Sequence, residues 1–102
     1  MRRIHIDASG WVSILDFYDS IISALQAPDW HGRNINALID SMIGGEINGV
    51  DPPYVIVISG TSSIDRTIVD HIVTVKEFLA ETREQVREEW GNHVDALIEI
   101  AS

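Results

Sequence analysis

The chain has 102 residues, of which 16 are acidic and 7 basic, so its formal net charge is −9. This length fits one domain with a single core, and an apolar content of 45% argues against disorder. An acidic surface repels nucleic-acid phosphates and anionic membranes and attracts basic proteins, although charge alone is most often only a sign of solubility. We therefore expect no nucleic-acid and no membrane partner.

Cysteine usage and the N-terminal residues bear on location. The sequence has no cysteine, which excludes disulfide bonds and thiolate sites. No apolar run reaches the roughly 18 residues that span a bilayer. The residues after Met1 do not resemble the apolar core of a signal peptide. These features predict a cytoplasmic protein.

The first half of the chain predicts one strand and one helix before a central helix. Arg3 to Ile6 alternates polar and apolar residues and indicates a strand. From about Ser13 to Gln26, apolar residues recur at helical spacing and predict a helix that Pro28 ends. The central helix has five apolar residues at i, i+3, i+4, i+7 and i+8, and Gly44 and Gly45 follow it. These five are Ile35, Leu38, Ile39, Met42 and Ile43.

The second half predicts a loop, a buried strand, a helical region and a last strand. Three glycines and two prolines make 44–53 a loop, and the apolar run 54–58 is typical of a strand covered by helices on both faces. The region from Thr61-Ser62-Ser63, which offers N-cap candidates, to Trp90 is long enough to predict two segments or a bend. Gly91 ends it, and 94–100 follows as a strand. Because parallel neighbours need crossovers, this order predicts an α/β fold, a small three-stranded parallel sheet with helices packed against it, in one domain over residues 1–102.

The outward side of the central helix carries the most informative residues. Asn36 and Asp40 lie one turn apart and about 40° apart around the helix axis, so an amide and an acid share one face. Trp30 and His31 stand in the loop before the helix, where a structural turn needs neither, although a loop aromatic commonly folds over a core. Asp40 has poor helix propensity and opposes the dipole of the C-terminal half, which favours a binding role.

Catalysis and metal binding are less well supported. Asp40 with His31 is a conceivable acid–base pair, but no third group is placed to orient the imidazole. The histidines at 5, 31, 71 and 93 have no metal-ligand spacing, and Gly44-Gly45 lacks the Lys-Ser/Thr of a phosphate loop. We predict no enzyme activity, no metal and no cofactor.

The run from Pro28 to Asp40, Pro-acid-aromatic-aromatic-Gly-x-Asn-aliphatic-polar-Ala-Leu-x-Asp, resembles the signature of the barstar family, intracellular inhibitors of secreted ribonucleases. The likeness is gap-free from about Leu25 to Gly44. The flanking helix, the strand 54–59 and the terminal 94–101 fall in the family's order, so the resemblance covers nearly the whole chain.

The resemblance implies an inhibitor or immunity protein, monomeric when free, that blocks the active site of a basic secreted ribonuclease with helix 34–44 and the loop before it. By family position Asp40 mimics a phosphate. The implied surface is completed by Trp30, His31, Asn34, Asn36, Ile39, Gly44 and Glu46. The family also contributes an acid from its last helix, for which Glu84, Glu88 and Glu89 all qualify. Asn34 has a second role open to it, as the cap of the central helix.

This chain departs from the family at three positions near the motif. Better-known members have an acid at the position of Asn36 and an indole at that of Ile39, and Arg33 replaces a position that is often acidic. We therefore expect a cognate toxin whose surface around the active site differs from that of the family's usual ribonuclease. The alternative functions are an acidic protein-binding adaptor and an immunity protein against a toxin that is not a ribonuclease.

Overall fold

The computed structural model describes residues 1–101 and has the predicted α/β architecture. The strands β1, β2 and β3 alternate with helices, and a 3₁₀ turn at Thr61–Ser63 precedes the last helix. In chain order the elements are β1 Arg2–Asp7, α1 Ile14–Ala24, α2 Ile35–Gly44, β2 Tyr54–Ser59, α3 Arg66–Trp90 and β3 Ala96–Ile100.

The three strands form a parallel sheet in the order β1-β2-β3, with β2 in the centre. Ile56 of β2 lies opposite Ile4 of β1 and Ile98 of β3. Every residue of β2 except Ser59 is buried, as the apolar run 54–58 predicts. Parallel neighbours require crossovers, and here α1 with α2 supplies the first crossover and α3 the second.

The helices pack on one face of the sheet, not on both. Tyr54, Ile56 and Ile58 point into the hydrophobic core, where they join buried residues of all three α-helices such as Phe17 and Ile72. Val55 and Val57 point to the opposite face and are buried at 8% and 3% exposure, yet they lie outside that core. The expectation of helices on each side of the sheet is therefore wrong.

Long side chains of the flanking strands cover the outer face instead. Arg3 of β1 forms an ion pair with Glu99 of β3 at 2.9 Å, and this bridge spans the central strand. The aliphatic stems of such side chains shield apolar surface while their charges stay in water. A continuous apolar run therefore does not distinguish a second helical layer from a layer of amphipathic side chains.

The last helix, α3, is a single helix of 25 residues, so the predicted division or bend is wrong. The break lies before it, at Ile64 and Asp65, and Asp65 caps the helix by accepting the Thr67 N–H at 2.7 Å. Gly91 ends the helix with φ of 70°, in the left-handed region that glycine adopts without strain. Within residues 1–101, neither α3 nor any other helix combines the length and apolarity needed to cross a membrane.

Candidate partner-binding site

The helix α2 is firmly fixed at its N-terminus and along its inner side. Asn34 adopts an extended conformation, and its Oδ1 accepts the Ala37 N–H at 2.9 Å, which makes it the N-cap. Leu38, Ile39 and Met42 are between 0% and 2% exposed in the core. A capped helix with such an inner side presents its outer side in a defined position.

The outer side of α2 is a row of exposed residues one turn apart, Asn36, Asp40 and Gly44. The side chain of Asp40 forms no hydrogen bond and no ion pair with any residue in 1–101. The neighbouring cation, Arg33, is paired with Asp19 of α1 at 2.8 Å. The predicted exposure of Asn36 and Asp40 is confirmed, and their role in binding remains a prediction.

The two large residues of the preceding loop point in different directions. Trp30 is 74% exposed, whereas His31 is only 9% exposed. His31 lies 2.7 Å from the Gly32 carbonyl through Nδ1 and 2.8 Å from Ser41 Oγ through Nε2. His31 therefore exposes little of its ring, although it contributes to the lining of the cavity beside Trp30 and Asp40. Its contact with a partner remains a prediction.

A cavity of about 200 Å³ lies beside the outer side of α2. Trp30 and Ile47 contribute apolar side chains to its lining, and Asp40 contributes a carboxylate. Ile47 is 40% exposed and was not among the predicted site residues. A large apolar residue in a loop otherwise rich in glycine, proline and charge was the signal available in the sequence.

Ile39 does not belong to the exposed surface. It is 2% exposed and packs in the core with Leu38 and Met42. Its spacing from Ile35 and Met42 places it on the inner stripe of the helix, so family position gave the wrong surface for this side chain. The expected exposure of Ile39 is therefore wrong in the free protein, where the side chain fixes α2 to the core.

The loop after α2 holds Glu46 in an unusual conformation. Glu46 is exposed, has φ of 63°, and donates its N–H to Asp51 Oδ1 at 3.3 Å. Gly45 before it has φ of 69°, so two successive residues with positive φ turn the chain sharply away from the helix. The carboxylate of Glu46 is thus available to solvent near the C-terminal end of α2.

The acids at the end of α3 differ in how far they are already neutralised. Glu84 is paired with Arg87, which holds the pKa of Glu84 below its ordinary value. Glu88 and Glu89 are exposed on the last turn. Arg87 also attracts the neighbouring Glu88. Because a paired carboxylate must first give up its partner, Glu89 is the best placed of the three acids to meet a cation on another protein.

The described residues form neither a cluster of metal ligands nor the acid–base pair that the sequence suggested for His31 and Asp40. No group of three or more His, Cys, Asp or Glu side chains that could hold a metal ion exists in residues 1–101. The acid–base pair considered for His31 and Asp40 is not formed, because the imidazole bonds Gly32 and Ser41 instead. The site has the features of a surface for protein recognition, namely an exposed tryptophan, an unpaired carboxylate and a rigid helix.

The structure is that of a small α/β protein with a candidate surface for protein recognition, and comparison with known proteins identifies its family. Residues 1–99 match the family model described as "Barstar (barnase inhibitor)", so the chain belongs to the barstar family. A curated relative from Bacillus subtilis (strain 168), named "Putative ribonuclease inhibitor YrdF", is 29% identical over 90 residues. The alignment covers 88% of this chain and 94% of that protein.

Proposed function

We propose that this protein is a cytoplasmic inhibitor of a basic secreted ribonuclease and that it blocks the nuclease active site with α2 and the loop before it. The observation that carries the proposal is Asp40, an exposed carboxylate whose side chain has no partner in residues 1–101. It lies on a helix whose inner side is packed in the core. Family membership and the name of the Bacillus subtilis relative support the inhibitor role.

The physical argument starts from what a ribonuclease must hold. Its cleft needs Arg, Lys or His side chains that bind phosphate, so a carboxylate of similar charge is attracted to the same place. A carboxylate on a protein backbone has no phosphodiester bond and cannot be cleaved. An acid on a rigid helix therefore occupies the anion site as a competitive inhibitor, and the overall charge of −9 accelerates the encounter with a basic partner.

The parts of the surface have separate tasks in this proposal. Asp40 meets the phosphate-binding cations, and Trp30 supplies a large apolar contact beside it. Asn36 and Gly44 extend the row along the helix, and Glu46 adds a negative charge beyond its C-terminal end. Asn34 acts mainly as the helix cap, since its Oδ1 is engaged with Ala37.

The departures from the family motif point to a particular kind of partner. Asn36 is neutral where better-known members have an acid, and Arg33 is already paired with Asp19. The negative charge facing the partner is therefore concentrated at Asp40. We expect a cognate ribonuclease whose rim is less basic than its phosphate site.

A second candidate function is an acidic adaptor that binds a protein without blocking catalysis. The acids at the end of α3, Glu88 and Glu89, favour this alternative because they are exposed on a different helix from the row on α2. An adaptor bound there would leave the partner's active site open. Competition with substrate separates the two functions.

The test is a steady-state inhibition assay with purified protein, a basic secreted bacterial ribonuclease and a fluorogenic RNA substrate. The proposal predicts competitive inhibition, with an apparent inhibition constant that rises in proportion to substrate and to added nucleoside 3′-monophosphate. Binding that leaves hydrolysis unchanged would support the adaptor. An absence of binding across a panel of such ribonucleases would refute the inhibitor proposal.

A further inference from the structure

A hydrogen-bonded network of three buried polar side chains lies at the edge of α2, next to the cavity at Asp40. His31, Ser41 and Asn48 are 9%, 3% and 8% exposed. Ser41 Oγ lies 2.8 Å from His31 Nε2, and it accepts a hydrogen bond from Asn48 Nδ2 at 3.2 Å. This network of hydrogen bonds thus connects the loop before α2, the helix itself and the loop after it.

The hydrogens in this network of side chains can be assigned from its geometry. The Gly32 carbonyl only accepts, so the Nδ1 of His31, 2.7 Å away, carries a hydrogen. Nε2 is left to pair with Ser41, whose hydroxyl donates to it when the ring is neutral. When the ring is cationic Nε2 donates, and the hydroxyl proton turns to the Leu38 carbonyl at 3.1 Å. The His31–Ser41 bond persists in both charge states.

Asn48 belongs to a segment that is held independently from the other side. The Gly49 N–H donates to the Gln26 carbonyl at 2.9 Å, and the Val50 N–H donates to the Leu25 carbonyl at 3.1 Å. Gly49 permits this approach, because a Cβ there would lie 2.8 Å from the Cβ of Gln26. The loop after α2 is therefore docked on the end of α1, and Asn48 links this docked loop to the helix.

Within residues 1–101, the side-chain amide of Asn48 bonds its surroundings only through its N–H donor. Its Oδ1 is buried without a partner in residues 1–101, which is unfavourable for a polar atom. An apolar side chain at this position would avoid that penalty but would lose the bond to Ser41. Asn48 therefore connects its loop to α2, although its unpartnered oxygen lowers the stability of the fold.

We propose that His31, Ser41 and Asn48 are positioning residues that hold the two loops flanking the outer side of α2, so that Trp30 and Ile47 are presented at fixed places beside Asp40. Trp30 is adjacent to His31, Ile47 is adjacent to Asn48, and both line the cavity at Asp40. Loops that are ordered before binding lose less conformational freedom in the complex, which slows dissociation. The effect on binding rests on the proposed inhibitor function, whereas the network of hydrogen bonds is a property of the free protein.

The free protein gives the first test. Long-range ¹H–¹⁵N NMR at neutral pH should show His31 with its hydrogen on Nδ1. In Ser41→Ala, the hydrogen-bonded amides of His31, Glu46 and Gly49 should exchange with solvent at least about tenfold faster than in the parent, because local opening no longer breaks the bonds of Ser41. Ser23→Ala, an exposed serine on α1, is the matched control and should leave the exchange of these amides unchanged. A hydrogen on Nε2 alone, or unchanged exchange in Ser41→Ala, would overturn the proposal.

Two substitutions of His31 separate positioning from general structure. Gln places a polar atom near the position of Nε2 and can keep the bond to Ser41, whereas Asn reaches only the position of Nδ1. Against a basic secreted ribonuclease that the parent inhibits, His31→Asn and Ser41→Ala should dissociate about tenfold faster, with association unchanged. His31→Gln should stay close to the parent.

The outcomes distinguish this proposal from the proposed function. Equal dissociation rates for the parent, His31→Asn and Ser41→Ala would overturn the positioning role. If His31→Asn does not fold, Ser41→Ala, which removes only one oxygen atom, gives the same test. If the parent inhibits no ribonuclease, the proposed function fails. The tautomer of His31 and the exchange rates then still decide whether the network of His31, Ser41 and Asn48 holds the two loops.

Discussion

The two sides of α2 are chemically opposite although they belong to the same ten residues. On the inner side Leu38, Ile39 and Met42 are at most 2% exposed, and burying side chains of this size stabilises a fold by about 1.5–3 kcal/mol each. On the outer side Asn36 and Asp40 are exposed, and their side chains bond nothing in residues 1–101. Stability and recognition are thus assigned to different sides, and a substitution should affect one without the other.

The largest effect on folding is expected on the inner side. Ile39→Ala should lower the free energy of unfolding by about 2–5 kcal/mol, because it removes buried methyl groups and leaves a cavity. The measurement is urea denaturation, with Leu15→Ala on α1, where the side chain is 51% exposed, as the control. Binding by the folded fraction should change little. An Ile39→Ala protein of parental stability but poor affinity would show that Ile39 contacts the partner after all.

The exposed tryptophans provide a matched pair for recognition. Trp30 and Trp90 are both 74% exposed, but only Trp30 lies beside Asp40. Trp30→Ala should weaken binding by about 2 kcal/mol or more, a hot-spot magnitude, and Trp90→Ala should have no comparable effect. Inhibition constants for both variants and the parent test this. Equal losses would mean that the partner also covers the end of α3.

Two asparagines on the same helix separate capping from surface presentation. Asn34→Ala removes the acceptor for the Ala37 N–H and should lower the free energy of unfolding by about 1 kcal/mol. Asn36→Ala should leave it unchanged or slightly higher, since alanine is the better helix former. Thermal unfolding of the two variants decides the matter. Equal melting temperatures would contradict the capping role.

The smallest effect concerns pH and the packing of α1 against α3. Tyr18 Oη lies 2.7 Å from His71 Nε2, and burial lowers the pKa of His71 and raises that of Tyr18. Below pH 6.5, the ordinary pKa of histidine, the unfolded chain therefore binds more protons than the folded one. The contribution of this pair is complete above that pH and is lost as the pH falls.

Urea denaturation between pH 8 and 5.5 measures this contribution. The free energy of unfolding should decrease with falling pH in the parent and decrease less in His71→Gln, whose side chain is uncharged at every pH. Inhibition by the folded protein should not follow the same curve, because neither residue lies on the outer side of α2. A parallel decrease in parent and variant would exclude His71 as the cause.

Local sequence patterns predicted the features that neighbouring residues decide. The apolar spacing from Ile35 to Ile43, the cap at Asn34 and the stop after Gly44 are all near each other in sequence, and α2 follows them. The exposure of Asp40 follows from the same periodicity. The buried strand 54–58 and the end of α3 at Gly91 were predictable for the same reason.

Features that depend on distant residues were not predictable. The cover over Val55 and Val57 comes from Arg3 and Glu99, which are 96 residues apart in sequence and meet only once the strand order is set. His31 is buried because Ser41, ten residues later, bonds its ring, and spacing alone does not reveal that bond. Ile39 was assigned to the surface by family position, although its periodicity with Ile35 and Met42 indicated the core.

The most direct test of the account is Asp40→Ala, measured for both inhibition and stability beside Glu46→Ala, an acid at the edge of the proposed surface whose loss should weaken inhibition less. The affinity of Asp40→Ala for the ribonuclease should fall by about 2–5 kcal/mol, the range for truncating one partner of a buried interfacial charge pair, a range illustrated by the barnase–barstar complex of this same family. Its free energy of unfolding should change by no more than about 0.5 kcal/mol, because Asp40 has no partner in residues 1–101. An Asp40→Ala protein that inhibits as well as the parent, or that unfolds, would contradict the claim that Asp40 occupies the anion site of the partner.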